Sequence, residues 1–246
     1  MAAAYGQSDL VQAGDVTTVA VTFSATPTAG NHIVTFVGWW AGGGGAFSSV
    51  ADNRSNTYTQ IGSVVSNGNA RVHGAYAENI LTGSPHTVTW TFTAGSYPVG
   101  VVAESTGVAT TGSLGASNSG NGNSTSGSSG AASPSTAGIY YAFITGTDET
   151  SGTFGMTPTW SGSTQDEEAE AQATSSPANL LHKVSSGSET ATWTLSPGGN
   201  WCAKIAAFIE AGGAPAGHPA MRRHGLISPV GFSRPTELGR EGGRIF

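Results

Sequence analysis

The residues able to do chemistry are few and scattered. Six histidines occur, at 32, 73, 86, 182, 218 and 224, with neither HxH nor HExxH spacing among them, so no zinc site is specified. His73 and His86 are close enough in sequence to face each other across a hairpin. Glu78, Glu104 and Glu210 are carboxylates within strand-like runs, and Glu104 and Glu210 close two similar stretches. A glycosidase needs two such groups about 5–9 Å apart across a cleft; a repeated structural role at two strand ends explains this pair better. Asp52-Asn53-Arg54-Ser55-Asn56 offers closely spaced oxygens for a calcium ion but lacks the longer ligand series and bidentate glutamate of an EF-hand. It reads as a turn capped by its own side chains. Gly127-Ser128-Ser129-Gly130 does not match the Gly-x-Ser-x-Gly elbow of a serine hydrolase. The single cysteine, Cys202, excludes an intrachain disulfide, and in Trp201-Cys202-Ala203-Lys204-Ile205 it reads as a core thiol. The sequence therefore specifies no catalytic residue, no cofactor and no metal site.

The elements around these residues read as strands. Only 10% of the 246 residues are charged and 37 are glycine. Good helix formers are scarce, and no segment keeps apolar residues at i, i+3, i+4 and i+7. Val19, Val21 and Phe23 alternate with small or polar residues in a first strand, residues 16–23. His32 to Trp40 is apolar on both faces, as in a central strand, and the glycines from Gly42 end it. Further strands are expected at 57–65, 70–79, 86–93 and 98–104, with Asn67-Gly68 as the strongest hairpin signal.

The second half resembles the first. Residues 138–144 parallel the strand around Phe36, and Thr192-Trp193-Thr194 parallels Thr89-Trp90-Thr91, the two tryptophans 103 positions apart. Each is followed by a glycine-containing turn, an aromatic residue and an apolar strand with an acidic residue. These features predict an all-β, antiparallel β-sandwich, jelly-roll-like, built by internal duplication. The pseudo-repeats span about 16–108 and 138–211. Residues 112–136, rich in Gly, Ser and Asn, read as a long exposed loop joining them.

Charge divides the chain. Residues 1–211 carry four Lys/Arg against 13 Asp/Glu, a net of −9, whereas 212–246 carry five arginines against two glutamates, a net of +3. An acidic body is a poor match for nucleic acid. Asp166-Glu167-Glu168-Ala169-Glu170, the densest charge run, reads as a strand with one solvated acidic face. No run reaches the ~18 apolar residues of a membrane span, and the N-terminus lacks the basic and apolar regions of a signal peptide. Pro219, Pro229 and Pro235 break up the last segment, yet it mixes arginines with apolar residues. It reads as an extended C-terminal arm laid on another subunit, with Arg222, Arg223, Leu226, Phe232, Arg234, Arg240, Arg244 and Phe246 as its contacts. Trp160, between Pro158 and Gly162, is the tryptophan placed to be exposed and to stack on a glycan.

The runs SSVADNRSNTYTQIG, ARVHGAYAENI, HTVTWTF and YPVGVVAESTGV resemble β-sandwich repeats found in bacterial surface proteins and phage structural proteins. The segment RPTELGREGGRIF is similar to the C-terminal segments of some phage proteins. The resemblance covers residues 16–211 and implies no catalytic residues. It implies a virion location, made in a host cytoplasm: capsid decoration or cement, or a tail component. The implied partners are other virion proteins and further copies of the chain, a trimer being the natural homo-oligomer. The alternative expectation is a carbohydrate-binding or adhesion module.

Overall fold

The structure, a computed structural model, describes residues 1–147, 154–169 and 176–212. The described elements are all strands, and every described pairing is antiparallel. The first half contains β1 (Ala4–Gln12), β2 (Val16–Thr22), β3 (His32–Trp40), β4 (Phe47–Asp52), β5 (Thr59–Gln60), β6 (Val65–Asn67), β7 (Ala70–Ala77) and β8 (Thr87–Thr106). The second contains β9 (Leu114–Ala132), β10 (Gly138–Thr147), β11 (Gly155–Pro158), β12 (Thr164–Ala169), β13 (Ala178–Ser185) and β14 (Glu189–Ile209).

Each half is one sheet folded over on its longest strand. The first part of β8 pairs with β2 and β4, and its second part with β1 and β3. The first part of β14 likewise pairs with β11 and β9, and its second part with β10 and β9. The order β1-β8-β3-β7-β5 in one half matches β9-β14-β10-β13-β12 in the other. The sequence suggests two strands at each of these places, because Gly95 and Pro197-Gly198-Gly199 look like turns. The chain bends there without leaving its ladders, and the pairing register slips instead.

Folding over creates a small sandwich in each half. In the first, Val19, Val21, Val88 and Trp90 face Ile33, Val37 and Trp39 of β3. In the second, Trp193 and Leu195 face Tyr140, Ala142 and Ile144 of β10. Each central tryptophan also has a polar partner on the facing sheet: Trp90 Nε1 donates to Thr35 Oγ1 (2.9 Å) and Trp193 Nε1 to Asn179 Oδ1 (3.1 Å). A buried indole N–H without an acceptor would be costly.

The alternate residues of β3 and β10 point the other way, and there the two halves meet. Val34 and Phe36 share one core with Ile139, Tyr141 and Phe143, joined by Val99 and Val101 of β8 and Ala206 and Phe208 of β14. Phe36 and Phe143 stack with centroids 5.7 Å apart and planes 3° from parallel. Gly38 sits at a close approach: a Cβ there would lie 2.5 Å from Thr145 Cβ. The body is thus four layers deep, which explains why β3 and β10 are apolar on both faces.

Residues 112–136 are not an exposed loop. Leu114–Ala132 forms β9, paired with β14 along most of its length. Ser, Gly and Asn have weak strand propensity, but β14 supplies the ladder and the apolar cover. Small residues are what the site needs, since a Cβ at Gly122 would fall 2.8 Å from the Trp201 ring. The expected strand at 57–65 is also broken, into β5 and β6. The arm contacts from Arg222 to Phe246 lie outside the described residues.

Candidate functional site

Buried and half-buried carboxylates act as structural acceptors. Asp52, at the end of β4, receives the N–H groups of Arg54 and Asn56 on Oδ1 (2.9 and 3.0 Å). Its Oδ2 receives Asn56 Nδ2 (2.7 Å) and Tyr58 OH (3.2 Å), and pairs with His86 Nε2 at 2.9 Å. These bonds outweigh desolvation and hold the carboxyl below its usual range. Groups of the loop itself fill both carboxylate oxygens, which makes it a side-chain-capped turn, with Ser55 at φ 62°. Glu104 Oε1 receives Thr28 N–H and Asn31 Nδ2 (2.7 and 2.6 Å), and Oε2 receives Gln7 Nε2 (2.7 Å). Glu104 thus ties β1 and the β2–β3 turn to β8. Glu210 lies just past β14, bridged to Val108, and Glu78 accepts the N–H groups of Gly112 and Ser113.

Glu189 seals Trp160. The indole donates to Glu189 Oε2 (2.9 Å), the same oxygen receives Lys183 Nζ (2.8 Å), and Ser185 Oγ donates to Oε1 (2.6 Å). Trp160 is only 6% exposed, with Tyr140 edge-on and the Lys183 ammonium over its ring. The expected exposed stacking surface is absent, because Glu189 and Lys183 draw the ring into the core of the second half.

His73 and His86 do not face each other. His73 packs against Phe47 and Trp90 and meets Gln60 Oε1 at 3.1 Å, while His86 belongs to the Asp52 cluster. A group of ionisable side chains lies where β1 meets β12 and β13. His182 Nδ1 and Asp166 Oδ1 are 2.7 Å apart, the Tyr5 ring stacks on the imidazole at 4.5 Å, and Ser8 Oγ donates to Glu167 Oε1 (2.6 Å). The acidic face expected to be solvated is therefore partly turned inward. Burial, only partly offset by the bonds from His182 and Ser8, raises both the Asp166 and Glu167 carboxyls. An Asp–His pair is the orienting half of a hydrolase triad, but here the nearby hydroxyl of Ser8 is bonded to Glu167. Among the described residues no hydroxyl or thiol is hydrogen-bonded to His182, and no group of three or more His, Cys, Asp or Glu is placed to hold a metal ion.

Cys202 lies in the core between the halves, its Sγ 3.4 Å from the Ala70 carbonyl oxygen, and burial pushes the thiol up to about 12. So protonated a sulfur is a poor nucleophile.

Sequence reasoning passed over Lys204. Its side chain, 3% exposed, leaves β14 on the face toward the first half, and Nζ donates to the Ile61 carbonyl (2.9 Å). Desolvation lowers its pKa to about 8. The ammonium lines a cleft of about 490 Å³ between residues 61–66 of the first half and β9 of the second, with Ser63, Ser66, Ser117, Ser119 and Asn121 on its walls. The signal was present as one lysine in an otherwise apolar run. A second, smaller cleft of about 340 Å³ lies between the glycines at 44–45 and Trp39, Phe47 and Arg71. Among the described residues no helix is long and apolar enough to cross a membrane.

No family model, curated protein or solved structure matches the chain.

Proposed function

We propose that the chain is a non-enzymatic structural protein whose doubled β-sandwich is displayed on a particle surface, as a capsid decoration or cement component of a phage virion. Attachment runs through residues 212–246, the segment of opposite charge to the body, onto neighbouring capsid subunits or further copies of the chain. One observation carries the reading: the buried or half-buried acids Asp52, Glu104 and Glu189 each accept at least three hydrogen bonds from the protein itself. Acids engaged in this way brace turns and strand ends. Catalytic acids instead need access to substrate and an orbital free to take a proton. The unequal charge of body and tail supports the attachment half of the proposal.

The test is light scattering on the full chain and on residues 1–211. The full chain is expected to assemble, and the shorter protein to remain a folded monomer. Monomers of equal stability in both cases would rule out self-assembly through the tail. A shorter protein that still decorated particles at full occupancy would end the attachment proposal.

A further inference from the structure

We propose that the cleft between the two halves is a binding site for a sugar acid, a hydroxylated ring carrying a carboxylate, with Lys204 as the charged anchor. This reading stands apart from the decoration role and uses none of the tail.

Lys204 lacks a counter-charge among the described residues. Buried cations in folded proteins are paired with an anion, yet the described ion pairs are His86–Asp52, His182–Asp166 and Lys183–Glu189. Among the described residues no carboxylate pairs with Lys204, and none lines the cleft. Among the described residues its one hydrogen bond, to the Ile61 carbonyl, occupies one of three N–H donors. The lowered pKa has the same origin, since desolvation is its chief cause, opposed only by the Cys202 thiol and by no carboxylate.

The walls select the rest of the ligand. Hydroxyls of Ser63, Ser66, Ser117 and Ser119 can each donate and accept, as sugar hydroxyls require. Val64 and Val65 add apolar surface for a ring face. A single ammonium suits one carboxylate; a phosphate dianion calls for several convergent donors. The volume of about 490 Å³ lies within the range of about 300–1,000 Å³ typical of small-molecule sites. Both halves contribute, and Asn121 Nδ2 donating to the Ser66 carbonyl (2.9 Å) fixes one wall to the other. The site exists only because the two sandwiches are joined.

Isothermal titration of the full chain at pH 7 with a glucuronate-containing disaccharide tests the proposal. Controls are the same disaccharide with its carboxyl reduced to an alcohol, and inorganic phosphate. Saturable binding is expected for the acidic disaccharide, with at least tenfold weaker binding of both controls. Lys204→Met should weaken binding at least tenfold. Ser117→Asp, at an exposed position, should do the same by placing a carboxylate in the cleft, and it serves if Lys204→Met folds poorly. The proposal is overturned if the acidic disaccharide does not bind, or if Ser117→Asp binds it like the wild type. Phosphate binding as tightly as the disaccharide would also overturn it, leaving a simple anion site.

Discussion

Phe143→Ala is expected to destabilise the protein by about 3–5 kcal/mol, the usual cost of removing a buried aromatic ring. Phe143 is fully buried and stacks on Phe36 across the plane where the halves meet. The backbone is held there on both sides, by β13 and β14, so the core cannot collapse to fill the space. Phe36→Ala should cost a similar amount. The double variant should lose less than the sum, by about 0.5–1.5 kcal/mol, because the first truncation already removes the ring contact. Val184→Ala, at a side chain 51% exposed, should change stability by less than about 0.5 kcal/mol. Urea unfolding of the four variants decides the matter. An effect of Phe143→Ala no larger than that of Val184→Ala would mean that the halves are not sealed through this core.

Acidification is expected to destabilise the fold steeply below pH 6.5, through two histidines. His32 lies between Tyr76 and Phe208 with neither ring nitrogen bonded to any described residue, and burial lowers its pKa to about 3. His73 is lowered to about 4, by burial first and then by the Lys204 charge. In the unfolded chain both take up a proton near pH 6.5. Between pH 6.5 and 4 the unfolded state thus binds about two more protons, and stability falls by about 2.7 kcal/mol per pH unit. Over that window the loss approaches the ~5–15 kcal/mol stability of an ordinary domain. Asp166 and Glu167 work the other way. Their folded values are raised, so the stability they contribute is full at low pH and is lost as pH rises through those values; they offset part of the acid loss. Asp52 and Glu189 are lowered, so they add destabilisation only once pH falls below the ordinary carboxylate range. His32→Phe keeps a ring in place and removes the buried nitrogens. It should raise stability at pH 7 by about 1–3 kcal/mol and roughly halve the slope between pH 6.5 and 4. An unchanged slope in urea unfolding across that range would remove His32 from the account.

Much of this frame was legible from residue order. The apolar runs at 32–40 and 138–144 mark strands buried on both faces, and the paired Thr-Trp-Thr motifs locate the long strands that run through both layers of each half. Other elements were not legible for definable reasons. Leu114–Ala132 has a linker's composition, and only its partner strand makes it a ladder. β8 and β14 look interrupted because glycine and proline mark a bend as readily as a stop. Ala4–Gln12 lacks clean alternation: it pairs along its edge with β8, while Leu10 on one face packs on the core between the halves and Val11 on the other packs into the first half's sandwich. Among the side chains, the Asp52 turn was readable because its partners are local. The Asp166–His182 pair meets Tyr5 and Ser8 of the distant strand β1, and Lys204 meets residues 61–66 of the other half, and sequence spacing carries no trace of either. Trp160 misled because flanking proline and glycine suggest exposure, whereas its acceptor, Glu189, lies 29 positions away.

Scanning calorimetry of residues 1–211 shows whether the two sandwiches are joined into one body. A shared core predicts one cooperative transition, with the calorimetric enthalpy equal to the van't Hoff enthalpy. Two transitions, or a calorimetric enthalpy near twice the van't Hoff value, would show that each half folds by itself and would contradict the joined core.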